Sequence, residues 1–492
     1  YYKKYYLFMK AIKYVLKLLI ISTIYGSVAF AHNINVPKIG DSSSKFMSIS
    51  QENKLGDIIY SQILGSFRLV ADPMVNSYVQ ALGNRLLNSN YKNTVNYRFL
   101  VIDNPDINAF AAPGGIIGIN SGIIQKTKTE AELAGVLAHE IAHVKARHLS
   151  RMYEKSSTID LSTALSVIVS VVAGMYDSST ISKSLLSSQA FETQKTINYI
   201  RAHEYEADRM AVKILANANI NPKAMGSFFR TLLEETNDSN QTEFLRTHPL
   251  TKNRISETET LASKYSGRFT DDSYSYQFMS VRVSMARFNS REFIKNYDYQ
   301  KNMFKKNPAR IIDDYAYALA LAKEKKFKQS YLVFKNLIEF LDTKDLITIK
   351  NYVLISLAET LIKNNKPKEA LVILEDLNNV YPTDNAILYY LSNAYIKNKN
   401  YKKVLEKLLP YVIAHKDHKL VLKISEAAYR LNETSLGHEY KGDYLKMLGS
   451  LNGAMKFYNL ALRYNMKGRM IDERIKTKIK TIDSIKNSKE IL

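Results

Sequence analysis

Two short stretches of the chain carry side chains of the right type and spacing for metal-assisted hydrolysis. The first is His139-Glu140-Ile141-Ala142-His143. On a helix, residues i and i+4 project from one face with roughly 6 Å between their Cβ atoms, so two imidazoles at that spacing can share one ion. A tetrahedral zinc ion takes histidine nitrogens at about 2.0–2.1 Å. Glu140 then sits beside the ion, where its carboxylate can take a proton from water. With nine histidines in 492 residues, the pattern arises by chance in only about one such chain in a hundred.

Such a site needs a further protein ligand. The metzincin continuation requires glycine at 146 and histidine at 149, where this chain has Ala146 and Leu149. That leaves a glutamate from a later helix, the gluzincin arrangement. The second stretch, 201–209 (RAHEYEADR), offers it: Glu204 and Asp208 are again i and i+4. Glu204 can complete the zinc shell, and Asp208 can accept the spare N–H of a ligating histidine and fix its orientation. Cysteine is absent, which excludes thiolate zinc, iron–sulfur clusters, disulfides and thiol nucleophiles.

Several elements must hold these residues in place. A helix is expected from about Thr129, with Glu130 and Glu132 in its first turn, running through the motif toward His148. Upstream, 52–90 has helical periodicity, 97–103 (YRFLVID) alternates like a strand, 104–115 is a breaker-rich loop, and 116–124 (IIGINSGII) reads as a second strand. A long helix is expected over 200–215, ended by Asn219 to Pro222. The apolar run 161–176 is shorter than the ~20 residues a spanning helix needs, so it reads as a buried helix or a segment dipping into a membrane surface. The serine-rich 178–188 reads as a mobile lid.

Beyond about residue 305 the texture changes to paired helices. Residues 358–374 align with 392–408 at a shift of 34, and Ala428, Tyr429 and Asn432 lie a further 34 beyond Ala394, Tyr395 and Asn398. That period belongs to tetratricopeptide helix–turn–helix repeats, which stack into a solenoid with a groove. At the other end, Lys10, Lys13 and Lys17 precede a short apolar stretch and Ala29-Phe30-Ala31. This reads as a signal peptide within 1–31 cleaved after Ala31, its first eight residues being translated upstream sequence, or else as an uncleaved N-terminal anchor. The net charge of +22 comes from lysines spread along the chain, without a compact basic arm or RNA-binding aromatic motif, so nucleic acid is not an expected partner.

The combination of HEIAHVKARH, RAHEYEADR, THPLTKNRI and the strand-loop NAFAAPGGIIGINSGII resembles the Ste24/HtpX superfamily of zinc metallopeptidases. An export signal and C-terminal repeats narrow the resemblance to its periplasmic branch that serves outer-membrane β-barrel assembly. It implies an α+β gluzincin-type domain, mostly helical with a small sheet, followed by an all-α tetratricopeptide solenoid. The expected division is signal peptide 1–31, linker 32–50, metallopeptidase domain 51–265, connecting segment 266–305, repeats 306–470 and a C-terminal helix or tail 471–492.

Carried over residue by residue, the resemblance implies one Zn2+ on His139, His143 and Glu204, Glu140 as general base and Asp208 behind a ligand. His248 would occupy the fourth zinc position as a latch, and Arg254 would steady the oxyanion or the latch. His148 and His203 match no ligand position and are expected at the surface or in helix packing. An extended peptide is expected to add as a strand along Ile116, Ile117, Gly118, Ile119 and Asn120. The implied activity is periplasmic endopeptidase, degrading misfolded or stalled outer-membrane proteins and assisting their assembly. The barrel-assembly machinery would be met through the repeats, and a peripheral membrane contact by 161–176 is an option. The rival expectation is a non-proteolytic chaperone or adaptor that uses the repeat groove with the zinc site latched.

Overall fold

The structure is a computed structural model, and it describes residues 48–88, 95–155, 190–234, 243–303, 311–465 and 468–491. The expected signal peptide, the apolar run 161–176 and the serine-rich 178–188 lie outside these residues. Helix α1 (Ile49–Ser66) opens with a reciprocal cap between Ser48 and Gln51. Helix α2 (Pro73–Asn88) follows only after a break, so the periodicity over 52–90 belongs to two helices. Pro73 explains the break: it lacks an N–H and pushes the residue before it out of helical geometry. The intervening chain runs along the sheet instead, with the Val70 N–H donating to the Val101 carbonyl at 2.9 Å.

Three short strands form the sheet: β1 (Arg98–Ile102), β2 (Ala109–Ala112) and β3 (Ile116–Asn120). Their order is β1-β3-β2, with β3 parallel to β1 and antiparallel to β2. This corrects one expectation. Ile116, Ile117, Gly118, Ile119 and Asn120 form the buried central strand, hydrogen-bonded on both sides, so no peptide can add there. The outer side of β1 is covered by residues 68–70. Among the described strands, β2 is therefore the edge left for a peptide, and it packs against the helix that carries the histidines. The strand also ends sooner than expected. Helix α3 (Ser121–Lys126) begins at once, where Gly122 lies so close to Pro105 that a Cβ would fall 2.0 Å from its carbonyl oxygen.

Helix α4 (Glu130–Lys145) carries the motif and is capped by Thr129, whose side chain accepts the Glu132 N–H. Leu133, Leu137 and Ile141 bury its flank. Glu130 ties its start to α2 by accepting from Tyr78 Oη at 2.9 Å and Arg85 Nη1 at 3.1 Å. The helix stops at Ala146 because Arg147 takes a positive φ of 52°, and α5 (His148–Lys155) leaves in a new direction. Next come α6 (Ala190–Asn217), α7 (Ala224–Glu234), α8 (Glu243–Thr247) and α9 (Lys252–Ser263). Helices α4 and α6 lie side by side, which brings the two sequence motifs together.

Helices α10 (Tyr274–Arg287) and α11 (Ser290–Met303) lead into a series of antiparallel pairs. These are α12 (Ile311–Lys323) with α13 (Phe327–Thr343), α14 (Ile347–Lys363) with α15 (Pro367–Val380), and α16 (Asn385–Lys397) with α17 (Tyr401–Ala414). Then follow α18 (His418–Arg430) with α19 (Thr434–Met447), and α20 (Leu451–Arg463) with α21 (Arg469–Ile491). Turns inside the pairs use Lys325, Asn365, Lys399 and Asn432 at φ of 58°, 58°, 60° and 61°. The shift of 34 read in the sequence relates Asn365 to Lys399.

The helical pairs do not stand apart from the sheet-bearing half. One apolar cluster runs from Met74, Phe99 and Leu137 through Phe228 and Phe278 to Tyr315, Val353, Leu388 and Val421. At its centre Arg282 of α10 reaches Asp72 at 2.5 Å, Glu359 at 2.8 Å, Ser356 at 2.9 Å, Tyr315 at 3.0 Å and Tyr390 at 3.1 Å. Further along, Lys419 donates to the carbonyls of Val70 and Ala71. Among the described residues no helix is long and apolar enough to cross a membrane.

Candidate metal centre

Helix α4 turns His139 and His143 toward α6, where Glu204 meets them, and the start of the α8–α9 loop adds His248. Their facing atoms form a tight group. His139 Nε2 lies 3.0 Å from His143 Nε2 and 3.3 Å from His248 Nδ1. Glu204 Oε2 lies 3.2 Å from His248 Nδ1 and 3.4 Å from His139 Nε2, and Glu204 Oε1 lies 3.4 Å from His143 Nε2. A tetrahedron whose corners are about 2.0–2.1 Å from its centre has edges of roughly 3.3–3.4 Å. The spacing therefore suits a small tetrahedral cation, and three imidazoles with one carboxylate are a donor set that zinc accepts.

The electrostatics point the same way. Burial pushes Glu204 toward its neutral form, but His248, Arg254 and His143 overcome this and hold its carboxyl well below the usual range. Burial likewise opposes a charge on His139, yet Asp208 and Glu204 raise it to about 10. A cation at the centre can take that proton's place. His143 goes the other way, held well below the usual histidine range by burial, so its nitrogen stays available as a ligand.

Glu140 stands beside the cluster and is wholly buried. Among the described residues neither of its carboxylate oxygens has a hydrogen-bond partner, and His248 Nε2 lies 3.6 Å away. Burial raises its pKa, only partly offset by His248 and His139. An unpartnered buried carboxyl is costly, and such groups concentrate where proton transfer is needed.

Behind the ligands, Asp208 Oδ1 lies 3.1 Å from His139 Nδ1. Arg254, only 1 % exposed, grips Asp208 through Nε at 2.7 Å and Nη2 at 2.8 Å. Its Nη1 reaches Glu204 at 3.0 Å and the Pro249 carbonyl at 2.8 Å. Arg254 therefore joins the acids of α6 to the residue that follows His248. Phe244 stacks on the His248 ring with centroids 4.8 Å apart.

Sequence reasoning undervalued His148 and His203. Both are buried. The His148 ring lies on the His203 ring at 4.2 Å and 10°, and burial holds His148 below the usual histidine range. His148 Nδ1 lies 2.9 Å from His143 Nδ1, and its Nε2 lies 3.2 Å from Glu206. The signal available in the sequence was a third histidine five residues beyond His143, next to the helix stop.

With this geometry in view, the comparison with known proteins is direct. Residues 73–262, from the first residue of α2 to the last turn of α9, match the model of peptidase family M48, a metal-dependent family, and the chain carries that domain. Its relatives include proteins called β-barrel assembly-enhancing protease. The Yersinia pestis protein is 34 % identical over 250 residues, covering 50 % of this chain and 51 % of that one. The Escherichia coli K12 protein is 31 % identical over 264 residues, covering 53 % and 54 %. A more distant relative is mitochondrial metalloendopeptidase OMA1 of Schizosaccharomyces pombe, 28 % identical over 241 residues, with 48 % of this chain and 68 % of that protein covered. The chain spans about half the length of the assembly-enhancing proteases it matches.

Proposed function

We propose that the chain is a zinc-dependent endopeptidase of the bacterial periplasm that degrades misfolded or stalled outer-membrane β-barrel proteins and assists their assembly. The observation that carries this reading is the convergence of His139, His143, Glu204 and His248 with the partnerless Glu140 carboxylate beside them. Similarity to proteins called β-barrel assembly-enhancing protease supports the client class, and the expected export signal supports the compartment. The helical pairs, read as tetratricopeptide repeats, provide the contact with the barrel-assembly machinery.

His139, His143 and Glu204 would hold the ion. When bound, zinc supplies a Lewis acid for the scissile carbonyl and acidifies a water molecule. Glu140 takes the proton of the attacking water and passes it to the leaving amine nitrogen, a double task favoured by its raised pKa. Asp208 fixes the His139 ring, and Arg254 holds Asp208 and Glu204 in register. The substrate backbone pairs along Ala109–Ala112 of β2, beside α4.

His248 is the latch. Its Nδ1 takes the fourth corner of the cluster while its Nε2 faces Glu140, so water and substrate enter only when it withdraws. The bond from Arg254 to the Pro249 carbonyl anchors the closed position. A pure adaptor has no use for a buried, unpartnered Glu140, and side chains from the helical pairs, such as Glu359 and Tyr390, are engaged with the catalytic half. These features favour the enzyme.

The test is cleavage of an unfolded outer-membrane β-barrel protein by the purified chain and its His248→Ala variant. If the latch is shut in nine molecules of ten, removing it raises the rate about tenfold, and a chelator abolishes both activities. Slower cleavage by the variant, with zinc retained, would make His248 a helper of catalysis rather than a brake. No cleavage by either, with the fold and zinc intact, would leave the adaptor.

A further inference from the structure

We infer that His148 and Glu206 act as positioning residues that set the tautomer of His143 and so turn its Nε2 toward the metal. The inference rests on the metal reading above. The two histidines of α4 have different backing. His139 has a carboxylate, Asp208, near its Nδ1 at 3.1 Å. His143 has no carboxylate in that place; its Nδ1 meets the Nδ1 of another imidazole, His148, at 2.9 Å.

Two ring nitrogens at that distance must divide the roles of donor and acceptor. The far end of His148 decides the division. Its Nε2 lies 3.2 Å from Glu206 Oε2, and that same oxygen is held by Arg151 Nη2 at 3.0 Å. A carboxylate paired with arginine only accepts, so His148 carries its proton on Nε2 and presents a bare Nδ1. His143 Nδ1 then carries the proton between the rings, and His143 Nε2 is left with its lone pair facing His139 Nε2, His248 and Glu204. Arg151, Glu206, His148 and His143 thus form one directed relay whose last member is a ligand.

The fold is arranged to hold this relay. The positive φ of Arg147 lets the chain turn so that His148, only five residues after His143, comes back against it. Arg147 is pinned there by Glu52 of α1 at 2.9 Å. The His203 ring covers one face of His148, fixing the plane in which its two nitrogens point. The relay ends on His143 Nε2, so its effect falls on the metal.

The experiment measures zinc affinity directly, by competition with a chromophoric chelator, for the full chain and for His148→Phe. Phenylalanine keeps the ring and its stacking on His203 but offers no acceptor. A loss of 10–100-fold in zinc affinity is expected, with the melting temperature of the metal-free protein unchanged. His148→Gln, which restores an acceptor oxygen, should recover part of the loss. In the metal-free parent, two-bond 1H–15N spectra should show His143 protonated on Nδ1, a readout independent of any variant.

Unchanged zinc affinity in His148→Phe, or a His143 protonated on Nε2, would overturn the inference. So would a drop in affinity matched by loss of the metal-free fold and not relieved in His148→Gln, since packing alone would explain it. If the parent chain binds no zinc, the metal reading fails and this falls with it; if the parent binds and His148→Phe binds equally, only the positioning role fails.

Discussion

Replacing Glu140 with glutamine is expected to lower proteolysis by about 10²–10⁴-fold while leaving zinc bound and the protein at least as stable as before. The three outcomes come from one feature. The Glu140 carboxylate is wholly buried and has no hydrogen-bond partner among the described residues, so it makes no hydrogen bond there that glutamine would forfeit. Glutamine has the same shape and needs no desolvation of a charge, which moves stability upward. It cannot accept and release a proton, so the chemical step loses its base. Glu140 is not one of the four converging donors, so metal content should match the parent. The measurements are cleavage rate, zinc stoichiometry and melting temperature on one preparation. A variant that still cleaves would require another base, and one that loses zinc would show that the cluster has been misread.

The second large effect lies far from the metal. Arg282→Met should destabilise the chain by about 3–5 kcal/mol, the cost of breaking a buried ion pair from one side. Methionine fills the space but takes the arginine from Asp72 and Glu359, which face it at 2.5 and 2.8 Å, and leaves Glu359 its ion pair with Lys363. The triple change Arg282→Met, Asp72→Asn and Glu359→Gln should recover most of the loss, because the penalty is the unpaired charge and not the missing attraction. Urea titrations of the three proteins separate these terms. Equal stability of parent and Arg282→Met would mean that the cluster contributes nothing net.

The same group of residues gives a pH dependence with a definite sign. Burial alone would raise the Glu359 pKa, but Arg282 and Lys363 reverse this and bring it to about 2. An unfolded glutamate titrates near ~4.3. The unfolded chain therefore binds the proton first as pH falls. The stabilisation from Glu359 is complete above about pH 4.3 and is lost progressively as pH falls toward the folded value of about 2. Glu359→Gln should flatten that part of the stability profile.

What the sequence made legible follows from how local each feature is. The spacing of His139, Glu140 and His143 is a property of one helix, and so is that of Glu204 and Asp208; both could be read without knowing how α4 and α6 pack. The helix start near Thr129, with Glu130 and Glu132 in the first turn, is legible for the same reason. His248 and Arg254 have no such local pattern, and only the family resemblance pointed to them. Strand β2 was hidden because Ala109–Ala112 (AFAA) is short, does not alternate and sits between the breakers Asn104-Pro105 and Pro113-Gly114-Gly115. Missing it made β3 look like an edge, and the peptide was assigned to a strand whose backbone is already shared. His148 was set aside because its closeness to His143 depends on a single backbone turn at Arg147, which no residue type announces.

The Arg282 cluster also changes what counts as a part of this molecule. The family match ends at residue 262, yet Arg282 lies beyond it, binds Asp72 just before it, and draws Tyr315, Ser356, Glu359 and Tyr390 into the same knot. A chain cut after residue 262 would keep every candidate ligand and still lose Arg282, the partner of Asp72, and the far side of its apolar core. The module marked out by the family match is thus smaller than the packed unit, and the helical pairs form the second half of one shared interior.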